Sequence, residues 1–216
     1  MNKKESLKNT ILLSYALSSV LAIYMLIYHD QKYSFKTLPA IMLVVVSFFT
    51  QKKIDKRVLI FFLCLIAGDT VIVNFENFKF GLYFHSLSFF ILSYLSWSFF
   101  KKKTRKEFIK HFITFLILFL IIFFFTINDK GDAYSSIFTY GISICLATSL
   151  LFTNYLKMMI PANYMLFLAI ATRIVSDSIL TIVLFNEYNI YYSVIAHVIY
   201  FVSNYLFYKG FSLKYI

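Results

Sequence analysis

Long apolar runs separated by short polar connections form the dominant pattern along this chain. Eight runs stand out, at residues 9–28, 37–50, 58–75, 78–100, 108–127, 133–153, 161–185 and 188–207. Most reach 18 residues or more, which is the length a helix rising about 1.5 Å per residue needs to cross ~30 Å of hydrocarbon. The run at 37–50 is short and extends back through Lys36, whose long side chain can carry its charge toward the interface. The connections are about 2–10 residues long, so no soluble domain is inserted and consecutive spans are antiparallel neighbours. The pattern predicts an all-α polytopic membrane protein: one integral membrane domain over residues 1–216, folded as a bundle of eight transmembrane helices. The opening "MNKKESLKNT" before an apolar run has the layout of a signal peptide. That run is long and lacks a small-x-small cleavage site, so it is read as the first span.

Composition agrees with the pattern. The chain is 60% hydrophobic and 21% aromatic, with 14% charged residues, whereas a soluble domain is about half apolar and about a quarter charged. Its formal net charge of +11 would suit nucleic acid only if Lys and Arg formed a stripe interleaved with aromatic residues, and they do not. They sit in the connections instead. Counted over alternate connections and the termini, together with Lys79 and Lys110 at the adjoining span ends, 16 fall on one side and 4 on the other. The positive-inside rule then places both termini and the loop "KKKTRKEFIK" in the cytoplasm, and the expected location is a bacterial inner membrane. That loop is also suited to contact with anionic lipid headgroups. Cys64 and Cys145 lie inside apolar runs and read as small packing residues. No metal and no cofactor is expected.

Ionisable residues inside the spans change the picture from scaffold to site. "ATRIVSDSILTIVLF" carries Arg173 and Asp177 one helical turn apart on one face. Asp69 lies in the third span, His85 in the fourth and His197 in the eighth, all near one level slightly outside the midplane. Each Asp or Arg in hydrocarbon costs roughly 2.5–3.5 kcal/mol on insertion scales, so such groups face one another or a polar cavity. Arg173 and Asp177 either neutralise each other as a structural pair, or Arg173 holds a ligand while Asp177 does chemistry. Asp69 has no basic residue within a turn of its own helix and is not explained by such a pair. A faint symmetry relates "GDTVIVNFENFKFGLYFH" to "SDSILTIVLFNEYNIYYSVIAH", consistent with a weak four-plus-four repeat.

These segments resemble a known family. "GDTVI…NF" followed by Gly81 is similar to the Gly-Asp motif and following glycine of the YhhN-like transmembrane lysoplasmalogenases. "SDSILTIVLF" resembles their Ser-Asp-x-x-Leu-…-Phe motif at Ser176, Asp177, Leu180 and Phe185, and Lys36 in "KTLPA" matches the lysine of their Lys-Pro segment. The chain departs from the family at Phe89, where a span-four histidine is expected one turn from His85, and at His197, where the family often has Gln. The resemblance implies hydrolysis of the vinyl ether bond of a lysoplasmalogen, giving a fatty aldehyde and a glycerophospho-base. It implies Asp69 and Asp177 as catalytic residues, with Lys36, His85, Arg173, Ser176 and His197 around the lysophospholipid substrate. Two carboxylates suit this chemistry, one as proton donor and one as an ionised stabiliser of the oxocarbenium ion. Arg173 beside Asp177 favours its charged form, which leaves Asp69 as the expected acid. A transporter of small solutes or lipids with a charged midplane site is the alternative reading. Its mark would be Gly- or Pro-interrupted spans, and these are scarce here.

Overall fold

The computed structural model of this protein describes residues 3–28, 34–50, 55–74, 77–97, 104–126, 133–185 and 188–215. Among these residues the structure is entirely helical. Helix α1 (Lys3–Tyr28) is followed by a 3-10 turn at Ser34–Thr37 that leads into α2 (Leu38–Thr50), then α3 (Lys56–Asn74), α4 (Phe78–Trp97) and α5 (Arg105–Thr126). Helices α6 (Tyr134–Lys157), α7 (Pro161–Phe185) and α8 (Ile190–Tyr215) complete the described chain. The Asn and Glu at the symmetric turns (Glu76, Asn186, Glu187) and Lys101 to Lys103 of the basic loop lie outside the described residues.

The helix starts carry ordinary local signals. Pro161 opens α7 and Pro39 sits in the first turn of α2, where a missing N–H breaks no helical bond. Asp55 accepts from the Arg57 N–H ahead of α3 and is chelated by the Arg57 guanidinium, which holds its carboxyl below the usual carboxylate range. Asn77 and Asn189 accept from the first free N–H groups of α4 and α8. Two helices run past their apolar stretches: α1 begins at Lys3 and α8 continues through Lys209 and Lys214. Backbone hydrogen bonding does not stop at the edge of hydrocarbon, whereas hydropathy does.

Among the described residues five helices are long and apolar enough to cross a membrane: α1, α5, α6, α7 and α8. Helix α2 is shorter, with an apolar stretch of Leu38–Phe48. Helix α3 carries Lys56, Arg57 and Asp69, and α4 is threaded with Ser86, Ser88, Ser93 and Ser96. These hydroxyls do not need water. Ser86 and Ser93 donate to the carbonyls four residues back, as do Thr148, Ser149 and Thr153 in α6.

The helices close into a ring. Pairs α7–α8, α3–α4 and α4–α6 pack most extensively, α6 also touches α7, and α1 bridges α2 to α8. Helix α5 packs on α6 and stays outside the ring, with its apolar face outward. A core of Leu43, Val46, Phe61, Leu65, Phe89, Leu92, Phe207 and Phe211 fills one end of the bundle. Toward the other end, buried polar side chains including Asp69, His85 and Arg173 gather inside the bundle.

Two of the close approaches depend on glycine. A Cβ on Gly81 would lie 2.9 Å from the Gly68 carbonyl oxygen, and one on Gly68 would lie 3.0 Å from the Gly81 oxygen. Small residues at a helix crossing let backbones meet. Here they bring α3 and α4 together directly beside Asp69.

Candidate active site

Helices α3, α4, α6, α7 and α8 and the 3-10 turn line a cavity of about 90 Å³. Its lining includes Lys36, Asp69, His85, Tyr140, Arg173, Asp177 and Tyr200. Apolar residues Ile72, Phe78, Ile137, Leu184 and Phe185 line it too. They belong to the end of the bundle where α3 and α7 finish and α4 and α6 begin.

Asp69 is fully buried and has three partners, each from a different element. Lys36 Nζ lies 3.2 Å from its Oδ1, His85 Nε2 lies 3.5 Å from the same oxygen, and the Tyr200 hydroxyl donates to Oδ2. The Gly68–Gly81 crossing makes the histidine contact possible, because a Cβ on Gly68 would lie 2.8 Å from His85 Nε2. Lys36 reaches Asp69 from the turn ahead of α2, and its Nζ also sits 5.0 Å from the Tyr200 ring centre.

Asp177 has a different neighbourhood. The Tyr140 hydroxyl of α6 donates to its Oδ2, and no cation lies within 4.0 Å among the described residues. Arg173 does not pair with it, although both share one face of α7. Its guanidinium instead stacks on Tyr200, 3.8 Å from the ring centre, and donates to Asn204 Oδ1. Arg173 is 1% exposed, and its Nε has no hydrogen-bond partner among the described residues. The structural-pair reading of Arg173 and Asp177 therefore fails, because stacking on Tyr200 turns the guanidinium toward α8. The charge partners expected of the two aspartates are exchanged: the cation stands beside Asp69 and not beside Asp177.

Ser176 and His197 are outside the cavity lining. Ser176 Oγ donates to the Ala196 carbonyl and ties α7 to α8, while His197 Nδ1 donates to the Ser193 carbonyl of its own helix. Three residues of the site escaped the sequence reading: Tyr140, Tyr200 and Asn204. A signal for the tyrosines was present. Tyrosines in membrane spans concentrate at the interfaces, and one placed well inside a span must bring a partner for its hydroxyl. Among the described residues no group of three or more His, Cys, Asp or Glu side chains is placed to hold a metal. Cys64 and Cys145 are free and buried.

The site can thus present a neutralised carboxylate, a second carboxyl without a cation, and a buried guanidinium within one small polar space. A sequence model of the YhhN family matches residues 31–211, which takes in every residue of the cavity. No curated protein and no solved structure matches the chain.

Proposed function

The chain belongs to the YhhN family, and from that membership and the two-aspartate cavity we propose a membrane-embedded hydrolase that cleaves the vinyl ether bond of a lysoplasmalogen. The observation that carries this reading is the unequal pairing of two carboxyl groups in one cavity. Lys36 and His85 favour the ionised form of Asp69. Asp177, hydrogen-bonded by a tyrosine hydroxyl and with no cation within 4.0 Å among the described residues, is suited to hold a proton.

The reaction follows from those states. The Asp177 carboxyl transfers its proton to the alkene carbon farther from the ether oxygen, leaving an oxocarbenium ion on the adjacent carbon. Asp69 supplies the opposing negative charge. Water adds to the cationic carbon, and its proton returns to the Asp177 carboxylate. The hemiacetal then collapses to a fatty aldehyde and the free glycerol hydroxyl. Arg173, which pairs with no carboxylate among the described residues, is the anchor for the substrate phosphate. With Lys36 offset by Asp69 and Asp177 neutral, the cavity keeps one positive charge for that phosphate.

All eight helices cross the membrane in this reading, with both termini cytoplasmic and the cavity opening at the outer side. The protein acts in a bacterial inner membrane without a cofactor. The test is direct: purified protein is given lysoplasmalogen or its ester analogue, and aldehyde and fatty acid are measured. Aldehyde from the vinyl ether alone is the expected result. Absence of any hydrolysis, with solute flux in proteoliposomes, would replace this reading with a transporter.

A further inference from the structure

Beside the polar cavity runs a second, larger one of about 330 Å³, between α5, α6 and α7. Phe115, Leu118, Phe119 and Ile122 form one wall, and Gly141, Ile144, Cys145 and Thr148 form the other. The two cavities are not independent. Ile137, Tyr140, Asp177 and Thr181 line both, so the Tyr140–Asp177 hydrogen bond stands at their junction.

We propose that this groove holds the hydrocarbon chain of a single-chain phospholipid whose headgroup occupies the polar cavity. The assignment rests on the hydrolase reading and adds to it where the chain lies and how it enters. A lysoplasmalogen is polar at one end and apolar at the other, and the bond to be cleaved lies at the join. The side chains of Lys36, Asp69, His85 and Arg173 line the smaller cavity and not the larger, and Asp177 is at the join of the two. From Tyr140 to Thr148 the groove follows α6 for about 12 Å, at ~1.5 Å per residue. A chain placed there descends along the helix from the reacting carbon.

The walls suit such an occupant. Gly141 has no Cβ, and one built there would overlap the Phe119 ring at 1.9 Å, so the ring rests on bare backbone. The Thr148 hydroxyl is turned to the Ile144 carbonyl of its own helix. Cys145 Sγ contacts the Phe115 carbonyl. Helix α5 packs chiefly on α6, touching α4 where Phe108 meets Trp97, and little of its span is buried, with Leu118 51% and Ile122 43% accessible. The groove thus has a side edge on the surface that surrounding lipid covers, through which a lipid chain can enter without leaving an apolar medium.

The test uses a hexadecyl-chain lysophosphatidylethanolamine with a diazirine midway along the chain, irradiated with the full-length protein in proteoliposomes. The expected adducts fall on Phe115 to Phe119 and Ile144 to Thr148, and excess unlabelled lysolipid suppresses them. Adducts spread over the outer faces of other helices, or adducts that lysolipid does not suppress, would overturn the groove. As a second reading, Thr148→Phe should lower cleavage of a hexadecenyl substrate at least about tenfold relative to a butenyl one. That is the scale on which a pocket too small by a methylene discriminates. Equal losses on both substrates in a folded variant would count against it. Suppressible adducts from a protein that releases no aldehyde would sink the reaction and keep the groove. Aldehyde release without those adducts would do the reverse.

Discussion

Asp69 meets Lys36 at 3.2 Å while Asp177 is hydrogen-bonded by the Tyr140 hydroxyl, and substitution at each should therefore fail in a different way. Asp177→Asn keeps the size of the side chain but has no carboxyl proton to give. Aldehyde release is expected to fall by ~10²–10⁴-fold, the usual worth of a general acid, with little change in thermal unfolding. Asp69→Asn leaves the Lys36 ammonium buried without its counter-charge, and breaking one side of a buried pair costs roughly 3–5 kcal/mol. Unfolding in detergent should show that loss, and Lys36→Met in the same background should recover part of it by removing the stranded charge. If Asp69→Asn proves as stable as the parent and Asp177→Asn retains full activity, the division of roles is wrong. Arg173→Lys is a further check. Lysine cannot stack as a planar group on Tyr200 or offer a fork to a phosphate, so KM for the lysolipid should rise more than kcat falls.

At the scale of elements, the geometry of the site depends on how closely α3 and α4 cross. A Cβ at Gly81 would come within 2.2 Å of Ile72 Cγ1 and 2.9 Å of the Gly68 oxygen. Gly81→Ala should therefore push the helices apart at a cost of about 1–3 kcal/mol, as overpacking does, and carry His85 away from Asp69. Adding Ile72→Ala relieves the side-chain clash but not the one with backbone, so the double variant should regain only part of the stability and activity. Full recovery would mean that the helix crossing itself is not what holds His85 in place. Ser176 belongs to this scale as well, since its bond to the Ala196 carbonyl joins α7 to α8 below the site.

For the whole molecule, the charge asymmetry of the connections predicts that both termini are cytoplasmic. Reporter fusions at either end should be active only for a cytoplasmic location, and lysolipid added from the outer side of oriented vesicles should be cleaved first. A reporter that reads an external terminus would invert the cavity and remove the outward opening. The ring of helices, with α5 outside it, explains how a polar centre survives in an apolar chain. Lys36, Asp69, His85, Arg173 and Asp177 point into the ring, many serine and threonine hydroxyls return to their own helices, and aromatic and aliphatic side chains of α5 are exposed on its outer face.

Hydropathy alone determined that this chain is helical and membrane-bound, because in hydrocarbon a continuous apolar run can satisfy its backbone only within itself or in a closed barrel. The cost of charge in that medium also marked Asp69, His85, Arg173 and Asp177 as residues that must face inward. Partnership was a different matter. Periodicity relates residues one turn apart on one helix, and on that basis Arg173 was paired with Asp177. Only the tertiary structure could show that the cation beside Asp69 comes from a turn 33 residues earlier, and that Arg173 turns to Tyr200 and Asn204 on another helix. The same holds for Tyr140 and Tyr200, whose rings look like packing until a second helix brings a carboxylate to the hydroxyl. Short-range geometry is written along one helix. Which carboxyl is neutralised depends on contacts between helices, and these exist only once the ring has closed.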